Sequence, residues 1–449
     1  MPDLRLLREE RLRRTLRAVV LAHPYYRARF RDLGIAAGDI RTLDDLALLP
    51  LTRKEDYVAD PEAFRLRADD LPADFANEER VIWDIAYTTG TTAGPSPFYN
   101  TTHDAYAIWD HARRCNAAEG FRSDDRVANL YPIADFPTGA FLSVMRSTMI
   151  AGLPVVHGLT GSATSELKVR NSLAEAIDRV QALHPTILWG VPSFIRRFLV
   201  DARQRGAAFP AVRLVVTSGE PVPPALRAEL QELLADLGAG AVDIRARYAF
   251  TEMQGGLVQC AAHAEPQNLG PDLYYLETVD PETQRRLPDG ESGMLALTHL
   301  HRRGTVLLRY LVGDIVTLSR DPCPHCGREG ERVTTTPRRI GNLVKCRGML
   351  VNTDLVAETL SAISGIGQFQ IVFTRENGPA AMDRLVVRIE RAASQDSSRD
   401  PGVALHEEVA RRVRAAVALR PEVEFVPSGA LYDERSIKLK RVLDLRKEV

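Results

Sequence analysis

The chain has 449 residues, with 58 Lys plus Arg against 59 Asp plus Glu, a formal net charge of -1 and 45% hydrophobic residues. This is ordinary globular composition with ample chain for a core, and it excludes the collagenous, disulfide-scaffold and wholly disordered classes. Near-neutrality also argues against bulk nucleic acid or an anionic membrane as main partner, because both are held by summed positive potential.

Residues 3 to 35 are amphipathic and predict a helix broken at Pro24. Arg5, Arg8, Arg11, Arg13, Arg14 and Arg17 crowd it, but Glu9 and Glu10 interrupt them, as on a solvated helix face rather than a binding arm. The segment lacks the apolar run and small-residue cleavage site of a signal peptide, and no stretch approaches roughly 18 apolar residues, so a cytoplasmic location is expected. Leu49-Pro50-Leu51-Thr52 predicts a turn into a helix capped by Thr52.

From about residue 80 short apolar runs alternate with helical stretches. The runs are Arg126 to Tyr131, Leu153 to Val156, Thr186 to Gly190 and Leu214 to Thr217; the helices include Ser165 to Leu183 and Pro224 to Leu237. Alternation of this kind predicts a layered α/β architecture with parallel-rich sheets. Between Asp272 and Leu318, strand-like Tyr274 to Val279, Gly293 to Leu300 and Val306 to Tyr310 are separated by turn clusters, which predicts an antiparallel β subdomain. The remainder reads as a small α+β domain: Val344 to Val351, helix Thr353 to Ile363, strands Gln368 to Thr374 and Arg384 to Ile389, helix Leu405 to Val417, and Val423 to Val426. The expected division is 1–338 and 339–449.

Four segments carry chemistry. Tyr87-Thr88-Thr89-Gly90-Thr91-Thr92-Ala93-Gly94-Pro95-Ser96 follows a strand, and its glycines and hydroxyls let backbone and side-chain donors wrap phosphate oxygens. It is no Walker A loop, since no Gly-Lys-Ser/Thr follows. Downstream stand Thr217-Ser218-Gly219-Glu220-Pro221, Tyr248-Ala249-Phe250-Thr251-Glu252 and Arg309-Tyr310-Leu311-Val312-Gly313-Asp314. In this order, and with Lys438-Leu439-Lys440-Arg441-Val442-Leu443-Asp444 at the end, the chain resembles the phenylacetate-coenzyme A ligase-like branch of the adenylate-forming superfamily over most of its length. His23-Pro24-Tyr25-Tyr26 and Leu49 to Lys54 are similar to that branch's leader.

The resemblance implies activation of an aromatic carboxylic acid by ATP as acyl-AMP, with pyrophosphate released, and then transfer to coenzyme A. An amine, a hydroxyl or a carrier-protein thiol is the alternative acceptor, and a non-catalytic nucleotide-binding relative is the reading from another class. By resemblance Thr88, Thr89, Gly90, Thr91 and Thr92 hold the phosphates, and Ser218, Gly219, Glu220 and Pro221 line the adenine slot. Tyr248, Ala249 and Phe250 border the base and the acid, Thr251 meets the α-phosphate and Glu252 holds Mg²⁺, whose hard charge prefers carboxylate oxygen. Asp314 and Arg339 are expected at the ribose, and Lys438 is the expected catalytic lysine, with Lys440 its rival. Two departures stand out: Gly94 replaces a loop lysine, and Gly341-Asn342 replaces the Asp pair at the domain crossover.

Tyr131, Asp135, Phe136, Trp189 and Gly190 are the residues expected around the acid, as walls suited to a flat ring or as core. Of the five cysteines, Cys260, Cys323 and Cys326, the last two in a Cys-x-x-Cys knuckle, predict a closed structural Zn²⁺ site with His263 as fourth ligand and His325 as its rival, a thiol redox pair at the knuckle being the alternative. Cys115 and Cys346 are expected to be packed thiols. A symmetric homodimer is the prior for oligomeric state.

Overall fold

The computed structural model describes residues 3–88, 95–133, 138–160, 170–339, 343–347, 349–375, 382–391, 401–431 and 439–447. The chain forms two compact units, one of residues 1–127, 133–155 and 245–338, the other of 128–132, 156–244 and 339–449. The fold class is the expected mixed α/β, with parallel strands alternating with helices, an antiparallel β region and a C-terminal α+β portion. Among the described residues no helix is long and apolar enough to cross a membrane.

In the first unit, Leu4–Ala22 and Pro24–Leu33 are separate helices. Pro24 begins the second, where the missing N–H costs nothing, and the buried imidazole of His23 caps it by accepting from Tyr26 N–H. The helices pack through Leu12, Leu16, Val19, Tyr26 and Phe30 into one core with Tyr57, Phe64, Phe98 and Tyr310. An antiparallel sheet has the order Arg332–Val333, Tyr310–Ser319, Ser292–His299, Tyr274–Val279.

Two expectations in this unit are corrected. Thr52 is not the helix cap: it pairs as an isolated bridge with Tyr310, giving its N–H to Arg309 O and accepting from Leu311 N–H, and Arg53 precedes the helix Lys54–Ala59 instead. The strand expected at Val306 begins at Tyr310, because the preceding backbone is spent elsewhere: Val306 N–H donates to Phe64 O, while Leu308 O accepts from the hydroxyls of Tyr26 and Thr52.

In the second unit, neighbouring strands run in the order Val155–His157, Val127–Asn129, Ile187–Gly190, Leu214–Ser218, the last two parallel. Ser172 caps the helix Leu173–Leu183; the expected earlier start at Ser165 lies outside the described residues. The C-terminal portion has the sheet order Glu422–Val426, Asp383–Arg391, Ile366–Arg375, Val442–Asp444, antiparallel at its centre and parallel at both flanks. Helices Thr353–Ser361 and Pro401–Val417 complete it, with Val356, Leu360, Phe373, Val387, Val409 and Val413 in its core. The single strand expected over Val344 to Val351 is a hairpin, Leu343–Cys346 against Met349–Asn352, turned where Arg347 takes φ 49°.

Candidate functional site

In the first unit the antiparallel hairpin Ile82–Tyr87 and Pro97–Thr101 carries the expected phosphate loop. Its base is closed by two hydrogen bonds, Thr88 N–H to Ser96 O at 3.0 Å and Ser96 N–H to Thr88 Oγ1 at 2.9 Å. Thr89, Gly90, Thr91 and Thr92 lie outside the described residues. Tyr87 bridges to Thr138, which caps the helix Gly139–Ala151, and Gly139 backs onto Thr251, where a Cβ would stand 3.6 Å from Oγ1. The base of the loop is thereby joined to the next segment.

That segment is the end of strand Asp243–Phe250 and the helical turn Thr251–Met253, after which Gln254 at φ 53° returns the chain along Gly255–Val258. Tyr248 and Phe250 are half-buried, Ala249 is exposed and Glu252 is buried. The phenol of Tyr248 donates to Asp314 Oδ2 at 2.6 Å, and that of Tyr310 donates to Glu252 Oε1 at 3.2 Å. Each tyrosine thus holds the acid of the other segment. His299 Nδ1 accepts from Leu307 N–H at 3.1 Å, so its Nε2 is the donor that holds Glu252 O at 2.9 Å.

Gln254 ties the turn to the hairpin: its Oε1 accepts from Asn100 Nδ2 and Arg146 Nη1, each at 3.3 Å, while Arg146 also pairs with Asp84 and Asn100 Oδ1 accepts from Arg302 Nη2 at 2.7 Å. Sequence reasoning missed Asn100, Arg146, Gln254 and the role of Tyr310. Only Tyr310 lay in a segment singled out; the others are polar residues in otherwise regular elements, and their convergence is purely tertiary.

The second unit holds the other expected residues. Gly219 takes φ 88°, turning the chain after strand Leu214–Ser218. Helix Pro192–Gln204 has no side-chain cap from its own N-cap residue; Glu220 serves instead, accepting from Ser193 Oγ at 3.0 Å and Ser193 N–H at 3.3 Å. Ser218 and Tyr131 share a hydroxyl–hydroxyl bond of 2.5 Å. Tyr131 and Trp189 are buried, and Gly190 is packed so that a Cβ would lie 3.1 Å from Leu130 Cβ. Asp135, Phe136 and Lys438 lie outside the described residues, as does the side chain of Arg339, which ends the short strand Arg338–Arg339. Burial lowers the Arg441 guanidinium, against the opposing pull of Glu220's charge.

In the same unit Arg196, one turn into the helix, bonds Glu229 at 2.9 Å and Glu390 of strand Asp383–Arg391 at 3.1 Å, all three being buried. Gly367 leaves room for this guanidinium, since a Cβ there would come 2.5 Å from Nη2.

In the first unit the sulfurs of Cys260, Cys323 and Cys326 lie within 4.8 Å of one another. The knuckle is closed by Gly327 N–H to Cys323 O at 2.8 Å, with Gly327 at φ 68°. Buried Gln267 braces it, donating to Arg328 O at 2.7 Å with its Oε1 3.6 Å from Cys326 Sγ. Burial pushes the Cys260 thiol up to about 12; at Cys326 burial also raises, but hydrogen bonds from Arg328 and from the Cys260 and Cys323 thiols together outweigh it and the thiol is lowered. His263 and His325 are both exposed and neither joins the group. Three converging soft donors fit Zn²⁺, and the buried Glu252 carboxylate fits Mg²⁺. All five cysteines are free thiols, with Cys115 and Cys346 buried in the cores.

Residues 41–301 match the model of the AMP-binding enzyme family, and residues 349–446 match that of the AMP-binding enzyme C-terminal domain. A phenylacetate-coenzyme A ligase of Thermus thermophilus is 28% identical over 99% of this chain and 97% of its own length. One from Escherichia coli is 25% identical over 99% and 95%. The structure of a 2-hydroxyisobutyryl-CoA ligase, in the postadenylation state with an acyl-AMP, superposes with a TM-score of 0.78 at 22% identity, over 98% of this chain and 89% of that one.

Proposed function

The chain belongs to the AMP-binding enzyme family, and from that premise we propose that it activates an aromatic carboxylic acid with ATP and passes the acyl group to coenzyme A. A carboxylate oxygen attacks the α-phosphorus and pyrophosphate leaves with the bridging electron pair; the thiol sulfur of coenzyme A then attacks the acyl carbon and AMP departs. The observation that carries the reading is the reciprocal pairing of Tyr248 with Asp314 and Tyr310 with Glu252, which fixes the two expected nucleotide-side acids relative to each other.

The protein's part in such chemistry is positioning and charge compensation. Thr88 anchors the loop expected around the phosphates, and Thr251 stands against Gly139 at the end of the same chain of contacts. Asp314 accepts the ribose hydroxyls; Glu252 holds the divalent cation, which neutralises phosphate charge when bound. Lys438 compensates the charge that builds as the acid attacks. The two aligned segments support a division into an adenylation domain, 1–338, and a mobile C-terminal domain, 339–449, that carries this lysine. Coenzyme A is favoured over other acceptors because the near-full-length relatives are named for it, and an aromatic acid because those names specify phenylacetate. The three cysteines hold a structural zinc ion.

The test is acid-dependent ATP–pyrophosphate exchange across benzoic, anthranilic, hydroxybenzoic and phenylacetic acids, followed by loss of free coenzyme A thiol. Exchange without thiol consumption moves the acceptor to an amine, hydroxyl or carrier protein; no exchange with any carboxylic acid removes the reading.

A further inference from the structure

We propose that Tyr310 is a positioning residue for the divalent cation that accompanies ATP: its hydroxyl fixes the Glu252 carboxylate, and removing that hydroxyl weakens cation binding while leaving the fold intact. The inference rests on the function proposed above, which supplies the cation.

Main-chain contacts alone do not orient the acid. The backbone of Glu252 is held by His299 Nε2 on its carbonyl, and the turn around it by Gln254 Nε2 on Thr251 O at 2.7 Å. Beyond Cβ the side chain still has free torsions, and a carboxylate that must present oxygen to a cation in one direction has to be ordered first. The Tyr310 phenol supplies that ordering through Oε1. Orienting partners of this kind, once removed, typically weaken metal affinity about 10- to 100-fold.

The contact is separable from the packing around it. The Tyr310 ring is fully buried in the core shared with the N-terminal helices and meets Tyr57 edge-on, with centroids 6.4 Å apart. Those ring contacts survive in phenylalanine. Tyr57 spends its own phenol on Pro97 O, so its hydroxyl is committed to the hairpin rather than to Glu252. A buried phenol needs an acceptor for its proton, and Glu252 is the one Tyr310 uses.

The test titrates Mn²⁺ into the full-length protein with a non-hydrolysable ATP analogue, following free Mn²⁺ by electron paramagnetic resonance. For Tyr310→Phe the dissociation constant should rise about 10- to 100-fold, and the Mg²⁺ requirement for adenylate formation should rise with it. Excess Mg²⁺ should restore the rate, with KM for the acid unchanged. An unchanged constant in Tyr310→Phe overturns the proposal. Should that variant fail to fold, replacement of Tyr310 by 4-fluorophenylalanine, which keeps the bulk of the buried ring without a donor, must show the raised constant or the proposal falls. Failure of the underlying reaction is distinguishable: unmodified protein would then give no acid-dependent exchange, whereas the Mn²⁺ titration reads Tyr310 without any turnover.

Discussion

The phenol of Tyr248 donates to Asp314 Oδ2 across 2.6 Å, although 66 residues separate them in the chain. A hydrogen bond to a charged acceptor is worth about 1.5–3 kcal/mol. With Asp314 at the ribose, Tyr248→Phe should raise KM for ATP roughly 10- to 100-fold, with a much smaller effect on KM for the acid, as read by steady-state exchange kinetics. An unchanged ATP dependence would separate Asp314 from the nucleotide.

Lys438→Ala should slow acyl-adenylate formation about 10²- to 10³-fold, the usual effect of removing one preorganised charge-stabilising group. Thioester formation from preformed acyl-AMP should be far less affected, because that step no longer has to bring two anions, the carboxylate and the α-phosphate, together, although AMP still leaves with negative charge. Rapid-quench assay of the two half-reactions makes the distinction; equal losses in both would reassign the lysine.

Arg196 is the counter-charge to both Glu229 and Glu390, and all three are buried. Arg196→Met should destabilise by about 3–5 kcal/mol, because it strands acids inside the protein. Adding Glu390→Gln should recover part of the loss. Urea unfolding of the single and double variants measures both terms, and additive losses would contradict the pairing.

His23 is neutral in the folded protein. Its Nδ1 accepts from Tyr26 N–H while Nε2 bonds Val306 O at 3.1 Å, and burial drives its pKa from 6.5 down to about 3, the carbonyl of Val306 opposing only in part. The unfolded chain therefore binds the proton first. Stability from this residue is complete above about pH 6.5 and is lost by about 1.4 kcal/mol for each pH unit as pH falls from there toward 3. His23→Asn, which can still cap the helix, should flatten that slope between pH 7 and pH 5 in urea midpoints; an unaltered slope would place the titration elsewhere.

Protein purified without chelator should carry about one zinc ion per chain, as expected of a single structural site built on the three cysteines. Cys326→Ser should lower that content and the melting temperature together, and chelation of the unmodified protein should lower the melting temperature while Cys326→Ser stays insensitive. Metal content unaffected by the substitution would exclude the site.

Much of this architecture was legible in the residues because local rules decided it. Pro24 splits the first helix, the apolar run Leu214 to Thr217 forms a buried strand, and the Cys-x-x-Cys spacing brings two thiols onto one knuckle. What was not legible depended on distant partners. Thr52 carries every local mark of a cap, yet its backbone is claimed by Arg309 and Leu311, more than 250 residues on. His263 lies three residues from Cys260 and stays exposed, because nearness in sequence does not turn a side chain toward the thiols. Tyr310 stood inside a segment singled out for Asp314, but its use emerges only once Glu252 is beside it.

The thiols of Cys260 and Cys323 bring together two points far apart on the chain, and the polypeptide between them runs out through the exposed turn at 281–286 and back past Asp314. With zinc in place that stretch becomes a closed circuit. A protease cutting the exposed turn would sever the circuit without releasing either end, so nicked protein should migrate as one particle under native conditions and as two fragments once denatured with chelator.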